Sequence, residues 1–181
     1  MINLGTVTLE TERLILRKFN IKDSYDMYSN YASNPNVTKY LTWNIHENEE
    51  ESKALINIWE KEYNNDEFYQ WAIVLKESDK VIGGISVVNI WKEIDKVEVG
   101  YCIGEDYWFR GISAEALNAV ITFLFEKVDV KTIIGRYDIS NVNSGRVMEK
   151  CGMKFQGVIK KACKNNKGEY VDCGYYSLEK N

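Results

Sequence analysis

Between Phe68 and Tyr137 the spacing of apolar residues changes period twice, and this constrains the fold more than any other feature of the chain. Phe68 to Leu75, Val81 to Trp91 and Lys96 to Ile103 are short β-rich runs separated by turn residues such as Glu77-Ser78-Asp79-Lys80, which predicts an antiparallel meander. From Ser113 to Lys127 the period lengthens, and Ala116, Leu117, Val120, Ile121, Leu124 and Phe125 fall on one helical stripe. Lys131 to Tyr137 then reads as a strand again. Strand, helix and strand in that order form a crossover that sets two strands parallel. The expected fold is therefore a mixed α/β sheet, largely antiparallel and flanked by helices.

The remaining segments fit around that centre. Thr11 to Phe19 reads as a strand, and Ile21-Lys22-Asp23 opens a helix that Asn34-Pro35 should end. Glu47 to Tyr63 reads as a second helix, with Leu55, Ile58, Trp59 and Tyr63 at helical spacing below a solvated acidic turn of Glu47, Glu49, Glu50 and Glu51. Asn143 to Cys151 forms a further helix stopped by Gly152, followed by strands from Met153 to Lys160 and from Tyr170 to Leu178. The 181 residues contain one proline, Pro35, and neither repeat nor linker-like tract, so a single domain over 1–181 with its core at about 11–178 is expected.

Composition removes several function classes. Apolar residues at 45% and charged residues at 28% are ordinary for an ordered globular chain. Twenty-three basic against 27 acidic residues leave a net charge of −4 and no basic run, which argues against nucleic acid as a partner and mildly favours cationic ligands such as amines. Apolar runs are far too short to span a bilayer and no basic, then apolar, leader opens the chain, so a cytoplasmic protein with no membrane partner is expected. Cys102, Cys151, Cys163 and Cys173 form no C-x-x-C pair and His46 is the only histidine. Free buried thiols and no metal are expected, with two disulfides as the other reading.

The segment from Glu98 to Leu117 carries chemistry, because a strand there runs through a short loop directly into a helix. Such a loop exposes unpaired NH groups at the positive end of the helix dipole, which suits a phosphate, and Gly111 lets the backbone approach it. Neither G-x-x-x-x-G-K-[ST] nor G-x-G-x-x-G is present.

Glu98-Val99-Gly100-Tyr101, Tyr107-Trp108, Gly111 and Glu115-Ala116-Leu117 together resemble the E-I-G-Y … Y-W-G-K-G-Y-A-T-E-A-L core of the GNAT acetyltransferases, in their RimJ/RimL-like ribosomal-protein branch. Asn141 to Met153 resembles that branch's N-x-x-S-x-R-V-x-E-K-x-G-F block, Thr11 to Arg17 its opening strand, and Gly168 to Asp172 with Tyr176 its closing strand. The resemblance implies the GNAT fold and acetyl-CoA as cosubstrate. The implied contacts are Tyr101, Cys102 and Ile103 on the strand, Trp108, Phe109, Arg110, Gly111, Ile112, Ser113 and Ala114 at the phosphate loop, and Asn141, Ser144 and Arg146 beyond it. Trp108, Phe109 and Ser113 depart from the family's usual loop residues; since backbone NH groups do most of the binding, the changes tune affinity rather than abolish it.

Acetyl transfer needs a neutral amine, oxyanion stabilisation and a proton for the leaving thiolate. The resemblance assigns the oxyanion to a backbone NH near Cys102 or Ile103. Many family members carry a tyrosine acid where Met148 stands here, and Ser144 is the expected replacement, or else a serine satisfying backbone donors at the helix start. Glu98 is the candidate base, or a solvated strand-edge glutamate, with water the other route for the proton. Trp43 and His46 resemble the branch's W-x-x-H loop at the acceptor mouth, although a lone histidine is more often structural. Cys102 reads as a small strand residue rather than a nucleophile. The expected acceptor is a protein N-terminal amine, with a small amine (polyamine or antibiotic) or a catalytically weak acyl-CoA-binding sensor as the alternatives. The sequence does not fix the oligomeric state, and a homodimer is left open.

Overall fold

The computed structural model describes residues 1–180. In chain order the elements are β1 (Leu9–Glu10), β2 (Leu14–Arg17), α1 (Ser24–Met27), α2 (Pro35–Thr38), α3 (Glu49–Glu62), β3 (Gln70–Leu75), β4 (Lys80–Trp91), β5 (Lys96–Ile103), α4 (Ile112–Glu126), β6 (Thr132–Asp138), α5 (Val142–Lys150), β7 (Lys154–Lys164) and β8 (Tyr170–Glu179). They build an eight-stranded sheet of order β1-β2-β3-β4-β5-β6-β8-β7 in which β5 and β6 form the parallel pair. This is the mixed, mostly antiparallel arrangement that the resemblance implies.

The helix expected from Ile21 is broken instead. Asp23 is drawn into a 3-10 turn by Arg17, whose Nη1 and Nη2 donate to it at 2.7 and 2.8 Å, while the Asp23 carboxylate also accepts from the Asn20 NH. A wider π-type turn over Tyr28–Ala32 follows α1. The run ends at Asn34-Pro35 as expected, with Asn34 extended, and Pro35 also opens α2, at a first-turn position where a missing NH is harmless. β1, with two residues, is too short to show alternation in the sequence. β7 runs past the expected Lys160 because bulges near Gly157 and between Ile159 and Cys163 let it rejoin β8.

Apolar layers cover both faces. On one, Ala116, Leu117, Val120 and Leu124 of α4 pack over Leu14, Trp71, Ile85, Val97 and Ile133. On the other, Met27, Tyr31 and Ile56 from the first helical segments meet Phe19, Ala72, Val74 and Val81. Each fully buried side chain of this kind stabilises by about 1.5–3 kcal/mol.

What positions the site is a break in the parallel pair. β5 and β6 pair from Lys96 and Thr132 only as far as Val99 and Gly135. Beyond that point Gly100 to Ile103 stay with β4, and Arg136 to Asp138 stay with β8. A V-shaped gap opens between the strands, with the first turns of α4 and α5 at its lips.

Candidate active site

The first cavity, about 600 Å³, follows the gap and the start of α4. All the sequence-predicted cofactor residues line it except Arg110, whose guanidinium lies over the Tyr107 ring at 5.7 Å and whose carbonyl accepts from Arg13 Nη1 at 2.9 Å. Gly111 precedes α4 with φ +75°, a left-handed conformation that only glycine adopts without strain. The loop is anchored from the turn between β1 and β2. Thr11 Oγ1 donates to Glu115 Oε1 at 2.6 Å, and Arg13 Nε donates to Oε2 at 2.7 Å. Partial burial works against the Glu115 carboxylate, but these bonds outweigh it and hold its pKa below the ordinary value. Ile112, Ser113 and Ala114 then present first-turn NH groups with no carbonyl one turn earlier in the helix.

Sequence reasoning missed two further cations in this cavity, Lys39 and Lys150, which join Arg146 along its wall. Its acidic residue, Glu105, is tied to Asn36 and Asn34, and their hydrogen bonds lower its pKa. Lys150 lies one turn beyond Arg146 on α5, so the i, i+4 spacing within the second motif was a usable signal; Lys39, from a distant loop, gave none.

A second cavity, about 420 Å³, occupies the sheet face beneath α1 to α3. Tyr101, Cys102, Asn141 and Ser144 line both cavities, so the two meet there. The Tyr101 hydroxyl donates to the Ser144 carbonyl at 2.8 Å and lies 3.2 Å from Ser144 Oγ. Burial raises the Tyr101 pKa, keeping it protonated. Among the described residues no backbone NH donates to the Ser144 hydroxyl, which removes the helix-cap reading. Met148 is buried against Gly135, where an added Cβ would meet its Sδ at 2.9 Å. Burial pushes the Cys102 thiol up to about 12, so it stays protonated.

Two expectations need correction. Glu98 is neither solvated nor free. It is 4% exposed, with Oε1 at 2.8 Å from Arg136 Nε and Oε2 accepting from Asn89 Nδ2 at 2.8 Å. Both partners come from other strands, which a local pattern cannot show. His46 lines neither cavity; its Nδ1 is 2.8 Å from Ser52 Oγ at the start of α3, and its ring packs on Trp43. Trp43 does face the second cavity, together with Tyr31, Leu55, Trp59, Gln70, Ser86, Arg136 and Asp138. All four cysteines are free, with Cys163 and Cys173 sulfurs 3.1 Å apart at the cavity wall. No group of three or more potential metal ligands converges among the described residues, and no helix is long and apolar enough to cross a membrane.

Residues 13–154 match the acetyltransferase (GNAT) domain family. The uncharacterized N-acetyltransferase YnaD of Bacillus subtilis is 31% identical over 170 residues, covering 94% of this chain and 95% of the relative. The [ribosomal protein uS5]-alanine N-acetyltransferase of Escherichia coli is 22% identical over 164 residues, with 87% and 84% covered. A GNAT-family acetyltransferase from Bacillus anthracis superposes with a TM-score of 0.83 at 28% identity, covering 96% of this chain and 98% of that structure. Sheet, gap and phosphate loop are thus those of an acyl-CoA-binding transferase, and the chain belongs to the GNAT acetyltransferase family. It is an acetyl-CoA-dependent N-acetyltransferase.

Proposed function

We propose that the protein transfers acetyl to the α-amino group of a protein or peptide N-terminus, as the RimJ/RimL-like motifs imply. The observation that carries this reading is the engagement of Glu98 by Arg136 and Asn89. Both oxygens of that carboxylate are already engaged, so the proton of an incoming ammonium leaves to water, and the site favours an amine that loses its proton easily. An α-amine, with pKa about 7.7–8.0, does so far more readily than a lysine-like amine near 10.4. The named acceptor of the E. coli relative, a ribosomal-protein alanine, points the same way.

In this reading acetyl-CoA occupies the first cavity with its pyrophosphate over Gly111 to Ala114. The acceptor enters the second cavity. The neutral amine attacks the thioester carbon, the C–N bond forms and the C–S bond breaks. The ammonium proton leaves to water before attack, a backbone NH near Cys102 or Ile103 receives the oxyanion, and Ser144 hydrogen-bonds the departing thiolate, which takes up the second proton that the nitrogen sheds once the C–N bond has formed, leaving amide and CoA thiol. Asn141, which lines the junction, holds the pantetheine arm in this reading.

A panel of peptides and small amines, read by thiol release from acetyl-CoA, tests the reading. Peptide N-termini should turn over with higher kcat/KM than lysine-like alkylamines. A strong preference for a polyamine would overturn the N-terminal acceptor, and CoA binding with no transfer to any amine would favour the sensor.

A further inference from the structure

We propose that Asp138 is the acceptor-binding residue of the second cavity, holding the amine as its ammonium form, and that the acceptor carries one positive charge beside an apolar group. This deepens the reading of the two cavities and rests on the second one receiving the amine. The charged residues lining that cavity are Glu98, Arg136 and Asp138. Glu98 and Arg136 neutralise each other across 2.8 Å. Asp138 uses Oδ1 to accept from the Ser140 NH at 2.9 Å, and among the described residues its Oδ2 has no partner and the side chain forms no ion pair. One uncompensated carboxylate is therefore left on the acceptor side.

Its placement is fixed. Asp138 ends β6, two residues after Arg136 and so on the same strand face. The Asn141 NH donates to the Asp138 carbonyl at 2.7 Å, and the Ser144 NH donates to the Asn141 carbonyl at 3.0 Å. Two consecutive backbone bonds thus tie the carboxylate to the serine at the junction of the cavities. Sharing the cavity lining with it are Arg136 on its own strand, Cys173 on β8, Cys163 on β7, Glu98 on β5 and the hydroxyls of Tyr31, Tyr40, Tyr101 and Tyr137. Neither thiol offers a countercharge, and the guanidinium is already paired.

The rest of the wall selects the body of the acceptor. Tyr31, Trp43, Leu55 and Trp59 present apolar surface. A second ammonium would lose water there without meeting a carboxylate, since Glu98 is committed. A peptide whose first side chain is apolar fits, and so does an arylalkylamine; a polyamine does not.

Asp138 acts in binding and not as the base. A neighbouring carboxylate stabilises the ammonium and raises its pKa, so the proton must leave to water after capture. That sign gives a readout that a merely structural role would not move.

The test uses wild type, Asp138→Asn, which keeps an oxygen for the Ser140 NH, and Asp138→Glu, which keeps the charge. Binding to the CoA-saturated protein is measured by calorimetry with phenethylamine, an apolar-first peptide and spermidine, alongside steady-state kinetics. Asp138→Asn should weaken phenethylamine and peptide binding about tenfold, from the loss of one charge-assisted bond, with acetyl-CoA KM within about twofold. Asp138→Glu should recover part of that loss. The acid limb of kcat against pH should move to lower pH in Asp138→Asn, because the bound amine sheds its proton more easily, while the limb of kcat/KM that reports the free amine stays put. Unchanged amine affinity, an equal loss of acetyl-CoA affinity or an unmoved acid limb would overturn the assignment. Tighter binding of spermidine than of phenethylamine would overturn the single-charge specificity. Asp138-dependent phenethylamine binding with no peptide acetylated would sink the N-terminal reading and leave this inference standing.

Discussion

The two cavities meet at Tyr101, Cys102, Asn141 and Ser144 but are built in opposite ways. The cofactor cleft comes mainly from two continuous stretches, the end of β5 through the start of α4 and the start of α5, and much of its chemistry is backbone. Among the described residues its side-chain charges without an ion-pair partner are the cations Lys39, Arg146 and Lys150. The proposed acceptor cavity is assembled from side chains of strands β3 to β8 under a cover of helical segments, and its remaining charge is the carboxylate of Asp138. A loop that binds through NH groups tolerates altered side chains, which is why Trp108, Phe109 and Ser113 can stray from the family pattern. A cavity defined by side chains has no such tolerance, and in the proposed reading acceptor choice resides there.

The largest effect is expected where the cavities join. Ser144→Ala should lower kcat about 10 to 100-fold, because a thiolate of pKa near 8.5 is a tolerable leaving group and the hydroxyl contributes modestly. Acetyl-CoA affinity should stay within a few-fold. The melting temperature should not change, since the hydroxyl caps no helix; a loss of about 1 kcal/mol with unchanged single-turnover rate would restore the cap. On the cofactor side alone, Lys150→Gln or Arg146→Gln should raise the acetyl-CoA KM several-fold at low salt, and added salt should shrink the difference. Equal shifts in acceptor KM would blur the division between the cavities.

Smaller effects test the supports. Phe109 has φ 60° and is 85% exposed, so Phe109→Gly should relieve left-handed strain with little loss of packing. A gain of about 1 kcal/mol by chemical denaturation is expected, after the entropy cost of glycine. His46 braces the acceptor-side loop, and burial lowers its pKa in the folded state. The unfolded chain therefore takes up the proton first, so the stability this residue contributes is present above about pH 6.5 and lost as pH falls below it. His46→Gln should flatten the melting-temperature profile between about pH 7 and 5.

The sequence already shows most of the fold because its long elements declare their period. β5 occupies the expected Lys96–Ile103, and α4 begins one residue before the expected Ser113. The first helical segment eluded it because a half-buried Arg17–Asp23 pair, not propensity, sets the break. The same contrast runs through the site. Gly111, Asn141 and Ser144 stand in contiguous motifs and are legible, whereas the engagement of Glu98 by Arg136 and Asn89, and the isolation of Asp138, arise only when separate strands come together.

The central claim is that one cavity takes the cofactor and the other the acceptor, and titration of CoA into wild type, Gly111→Val and Asp138→Asn tests it most directly. A β-branched residue at φ +75° obstructs the phosphate loop, so Gly111→Val, shown folded by its melting curve, should bind CoA at least about tenfold more weakly, roughly 1.4 kcal/mol. Asp138→Asn should bind it as wild type does. Unchanged affinity in Gly111→Val, or an equal loss in Asp138→Asn, would contradict the account.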